Sequence, residues 1–154
     1  MAAKQKKKTP LGFLYLVIGL MAAAFCVQMF FPTNLGKIYD KCEENAARVT
    51  VTVSRGDETG ASYATDSLEK IRAFGDWADT QIMRNRSLAD GFTAKAKEQT
   101  EYNLAIEAVD GTYSAIVIDE RGFVHFGAEL YKVSGNVDKF LDELKKQLES
   151  WEKE

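Results

Sequence analysis

The stretch YNLAIEAVDGTYSAIVIDERGFVHFGAELYKV, residues 102–133, decides the fold. Tyr102, Leu104, Ile106 and Ala108 alternate with polar partners, the period of a strand that buries one face. Asp110-Gly111 is a strong hairpin signal, because tight turns need the left-handed backbone that glycine adopts freely. Tyr113 to Ile118 then returns, Asp119 to Gly122 turns again, and Phe123 to Phe126 forms the next strand. Leu130 to Val133 adds one more after a break at Gly127. Connections this short cannot join parallel strands, so the stretch reads as an antiparallel meander.

Downstream, Asn136 is placed to cap a helix whose apolar stripe is Val137, Phe140, Leu141, Leu144, Leu148 and Trp151. Asp142 with Lys146 and Glu149 with Lys153 are acid-before-base pairs at four-residue spacing on its wet side. Upstream, Arg84 to Thr100 is polar and aperiodic and reads as a long loop, with a short strand conceivable near Phe92. Before it, Asp66 resembles an N-cap with Glu69 completing a capping box, and Leu68, Ile71, Phe74 and Ala78 supply a buried face. The helix is expected as far as Phe74, since Gly75 ends it or costs about 1 kcal/mol. Val49, Val51 and Val53 alternate with Thr50 and Thr52 in a β-branched strand; Arg55 to Gly60 turns, and Ala61 to Ala64 is a short return.

Further towards the N-terminus, Leu35, Ile38, Tyr39, Cys42 and Ala46 repeat at helical spacing behind Asn34, with Gly36 as a weak point. Leu11 to Phe31 holds no charge, and Gln28 is its one strongly polar side chain. Such a run reaches about 30 Å as a helix, the thickness of a bilayer's hydrocarbon core. Leu11, Phe13, Leu14, Leu16, Val17, Ile18, Leu20, Phe25, Phe30 and Phe31 would form its lipid-facing surface. Lys4, Lys6, Lys7 and Lys8 precede the run, which places the N-terminus in the cytoplasm and the rest outside a cell membrane crossed once. The alternative is a cleaved signal peptide ending near Ala24, which exports the same domain.

The expected organisation is therefore a basic cytoplasmic tail (1–10), a transmembrane anchor (11–31), a juxtamembrane helical stalk (32–46) and an extracytoplasmic domain (47–154). The expected fold class is α+β: an N-terminal transmembrane helix, then an antiparallel sheet of four to six strands packed against two amphipathic helices. All 23 acidic residues lie beyond Phe31 with 16 of the 20 basic ones, a net charge of −7 there. That balance argues against nucleic acid and against an anionic membrane surface as partner. Cys26 lies in the apolar run and Cys42 beyond it, so they cannot staple the domain to itself; Cys42 is buried, free or paired with another chain.

Catalytic signatures are sparse. His125 is the single histidine, which removes a two-histidine metal helix but leaves a general base possible. No G-x-S-x-G, Walker loop, G-x-G-x-x-G or C-x-x-C occurs. Asp119-Glu120 and Glu43-Glu44 are adjacent carboxylates, whereas a glycosidase pair must face across a substrate. Asp57 to Asp66 lacks the ligand spacing of a calcium loop, and Asn85-Arg86-Ser87 matches the glycosylation sequon. No metal and no small-molecule cofactor is expected. Trp77, Phe92 and Tyr131, with Cys42, are the candidate interaction residues, since aromatics converging on one side would make a partner-binding patch.

Two resemblances follow from these motifs. The order strand, Asp66-Ser67-Leu68-Glu69-Lys70-Ile71 helix, meander, Leu130-Tyr131-Lys132-Val133 and terminal helix resembles small membrane-anchored extracytoplasmic α+β domains of unassigned function in Gram-positive bacteria. It covers most of Arg48 to Leu148 and implies a fold without an activity. Lysines ahead of Gly12-Phe13, an apolar helix broken at Pro32 and then a sheet are similar to a type IV prepilin, although Val17 stands where that pattern has glutamate. The function expected is a membrane-anchored, extracytoplasmic, non-enzymatic binding domain. Its partners would be membrane lipid through the N-terminal helix and an envelope protein through a sheet edge or the Arg84 to Thr100 loop. The alternatives are a small envelope hydrolase using His125 with carboxylates, and a pilin-like subunit.

Overall fold

The computed structural model describes residues 11–30, 32–43, 46–86 and 99–154, with side chains described there except at Leu11, 24–30 and 40–43. The chain divides into two units, Met1–Phe31 and Pro32–Glu154. The first contains helix α1 (Leu11–Phe30). The second runs β1 (Thr33–Asn34), α2 (Leu35–Glu43), β2 (Ala46–Arg55), β3 (Glu58–Thr65), α3 (Leu68–Asp79), β4 (Ile82–Arg86), β5 (Thr100–Ala108), β6 (Tyr113–Asp119), β7 (Phe123–Phe126), β8 (Glu129–Val133), α4 (Val137–Leu148) and β9 (Glu152–Lys153).

Among the described residues no helix is long and apolar enough to cross a membrane. The transmembrane helix, the single-pass signal-anchor topology and the single-pass cell-membrane location are not supported.

The fold class also changes. The sheet has nine strands in the order β1-β4-β8-β7-β6-β5-β2-β3-β9, every pairing antiparallel, and four helices occur among the described residues. The expected four to six strands fell short for a local reason. β1 and β9 have two residues each, and β4 buries only Met83, so none shows a readable period. The meander over β5 to β8 is present, with β5 in the sheet interior and paired to β2 along its length.

Register assigns the faces. Val51, Leu104, Ile116 and Phe126 lie directly opposite one another in succession, as do Ile118, Val124 and Tyr131. This face packs against Leu35, Ile38 and Tyr39 of α2, Ile71, Phe74 and Ala78 of α3, and Phe140, Leu141 and Leu144 of α4 in one core cluster. The segment expected as a stalk thus belongs to the core, with Leu35 and Tyr39 fully buried. Asn34 caps α2, its side-chain oxygen accepting from the Lys37 amide at 2.7 Å, and Asn136 caps α4 through the Lys139 amide at 3.0 Å. The N-cap of α3 is Ser67 rather than Asp66, and it makes no side-chain cap bond. That helix continues past the buried Gly75 to Asp79, because Phe74, Ala78 and Trp77 are held in the core on either side of it.

Candidate functional site

The other face of the sheet carries the most distinctive chemistry. Across it run Ser62, Thr52, Asn103, Val117, His125, Leu130 and Arg86, each opposite the next on seven successive strands. The neighbouring row ends Phe123, Lys132, Arg84. Arg84 and Arg86 are exposed and Lys132 is half-buried. Among the described residues none of the three forms an ion pair; the pairings from Ser62 to Leu130 carry no formal charge, while in the neighbouring row Glu101 stands opposite Asp119. Arg84 and Lys132 are like charges directly opposite one another, an arrangement that destabilises a ladder.

The corner is rigidly built. Asp119, 1% exposed, accepts from the Arg121 amide at 2.9 Å and the Phe123 amide at 3.0 Å through one carboxylate oxygen. Its other oxygen takes the Arg121 guanidinium at 2.6 and 3.0 Å. Gly122 completes this turn at φ +78, and a Cβ there would meet Val137 of α4 at 2.9 Å. The turn delivers the buried Phe123, with the Arg121 guanidinium 5.0 Å and the Lys132 ammonium 4.6 Å from its ring centroid. Two cations therefore share one aromatic ring, beside the two arginines of β4. His125 lies in this face as well, but its cross-strand neighbours are Val117 and Leu130, with no carboxylate opposite it.

Two clefts lie elsewhere. One of about 290 Å³, at the start of α4, is lined by Gln81, Ser134, Asn136, Lys139 and Glu143 among others. Another of about 330 Å³ is lined by Val53, Tyr63, Tyr102, Lys145 and Leu148 among others. Burial pushes the Tyr102 phenol up, against the lowering effect of Lys145. Neither cleft includes His125. Among the described residues no group of three or more His, Cys, Asp or Glu is placed to hold a metal ion.

The residues singled out in the sequence are dispersed. Trp77 is half-buried on α3, its ring stacked on Phe140 at 5.6 Å and its Nε1 donating to Glu143 Oε2 at 3.3 Å. Gln81 donates to the same oxygen at 3.3 Å. Tyr131 is 7% exposed on the core face of β8 and donates to Glu129 Oε2 at 2.7 Å. Burial first, then this bond to Glu129, pushes its phenol up to about 12. Phe92 and the side chain of Cys42 lie outside the described residues. Of the α1 residues, Phe13, Leu14, Leu16, Ile18 and Leu20 are exposed and Val17 is half-buried; the side chains of Leu11, Phe25 and Phe30, and all of Phe31, lie outside the described residues. Compared with known protein families, curated proteins and solved structures, the chain matches none.

Arg84, Arg86, Lys132 and Phe123 did not stand out in the sequence. The first two sit in a stretch without periodicity, and nothing local says that β4 lies beside β8. The one available signal was Arg84-Asn85-Arg86 itself, two cations at strand spacing.

Proposed function

We propose that the Pro32–Glu154 unit is a non-enzymatic interaction module that holds a protein partner at the exposed arginines on the second face of its sheet. The observation that carries this reading is the cationic corner: Arg84, Arg86 and Lys132 gathered without acidic partners among the described residues, in a unit whose net charge is −7. Natural sheets place consistent local choices at most positions and depart from them at functional sites. A like-charge cross-strand pair is such a departure, and the buried Asp119 turn invests a fixed geometry in presenting it. The row beside the corner is uncharged and half-buried from Ser62 to His125, and Leu130 is buried between His125 and Arg86.

A photo-crosslinking residue at position 132 tests this in the chain's own host, with a second at Asp142 on the outer side of α4 as the comparison. The expected result is a discrete protein adduct from position 132 and none from position 142. Equal adducts from both positions, or none from position 132, would remove the reading.

A further inference from the structure

We infer that the cationic corner takes an acidic, extended protein segment, one with Glu or Asp at alternating positions. This inference rests on the proposed role of the exposed arginines as a binding surface and specifies the chemistry of the partner. Arg84 and Arg86 are two residues apart on one strand and on one face, so their side chains leave the sheet about 6.6 Å apart. An extended segment presents every second side chain at that same pitch. A Glu-x-Glu or Asp-x-Asp run can therefore meet both guanidiniums in register, each with the planar two-point geometry that Arg offers a carboxylate.

Lys132 stands directly opposite Arg84, and its ammonium is held against the Phe123 ring. It adds charge at a position already ordered, so little side-chain freedom remains to be lost on binding. An incoming carboxylate also relieves the repulsion between Arg84 and Lys132, which the free module bears. Arg121 contributes less, because Asp119 already engages its guanidinium.

The rest of the surface selects among anions. A nucleic acid is a long polyanion, and its phosphates would extend over a unit whose net charge is −7. A short acidic segment confines its charge to the corner. The charge complementarity is local, so the fitting partner is a peptide segment with its acids close together.

The test uses the full chain and a fluorescein-labelled synthetic peptide in which Glu alternates with Thr, read by fluorescence anisotropy. Comparators are the same peptide with Lys in place of Glu and a single-stranded DNA oligonucleotide of equal charge. Saturable binding of the acidic peptide, weakening as salt is raised, is expected. The Arg84→Glu/Arg86→Glu variant should weaken it by about tenfold or more, and Arg84→Gln/Arg86→Gln by less. Lys146→Glu/Lys153→Glu, an equal change in charge on other elements, should leave it unaltered. Circular dichroism of each variant confirms that it is folded. Absent binding, equal binding of the Lys peptide, equal loss in the Lys146/Lys153 variant, or tighter binding of the oligonucleotide overturns the inference. Should that happen while crosslinks still form at position 132 and not at 142, the interaction module stands with a partner of different chemistry. If the crosslinks fail too, both go.

Discussion

Gly36 sits in α2 where the helix meets α3, and a Cβ built on it would come within 2.9 Å of the Asp79 Cα. From sequence the residue reads as a weakness in an amphipathic stripe, since glycine disfavours helix. In the fold it sets how closely the two helices approach. Gly36→Ala gains about 1 kcal/mol of helix preference but overpacks this contact, which costs about 1–3 kcal/mol or more where backbone must shift. A lowered urea midpoint, with the slope unchanged, is the expected outcome. Tyr131 is informative in another way, because its phenol is pushed up to about 12 from an ordinary value of 10.0. The neutral phenol is favoured in the folded chain, so its contribution to stability is intact below about pH 10 and is lost as the pH rises through about 12. Urea midpoints measured across that window should fall in the wild-type chain and fall less in Tyr131→Phe.

Among the elements, the β6–β7 turn is the one that both folds and displays the cationic corner. Its carboxylate, Asp119, is buried and accepts two backbone amides and a guanidinium. Asp119→Ala strips those donors of their acceptor, a loss of about 1–3 kcal/mol, and frees Arg121 and Phe123 together. Amide exchange should accelerate at residues 121–123 beyond the change in global stability. The cap of α4 offers a smaller and purely local comparison, with Asn136→Ala costing about 1 kcal/mol in thermal or urea unfolding. Caps were legible where a side chain acts on its own helix, at Asn34 and Asn136, and misread by one residue at α3, where Thr65 Oγ1 instead accepts from the Ser67 amide. Strands were legible where one face is buried, as in β2 and β5. β4 was not, because only Met83 of its five residues is buried.

At the scale of the molecule, the core cluster draws every member from residues 35–151. A fragment spanning 32–154 should therefore unfold in a single cooperative transition by calorimetry, and a broad, featureless melt would count against the unit as drawn. Periodicity and turn chemistry determined the meander, the capped terminal helix and the antiparallel sense of its pairs, since these depend on neighbours within a few residues. The uncharged run at 11–31 was read by length and hydropathy alone, and the described helix there does not amount to a membrane span. Only the tertiary structure decided that α3 carries the chain from β3, near one edge of the sheet, to β4, near the other, and so sets Arg84 beside Lys132. Local period states which face of a strand is buried. It is silent on which strand comes to lie alongside, because that is fixed by how the whole apolar surface can be closed at once, and the cationic corner exists only once it has been.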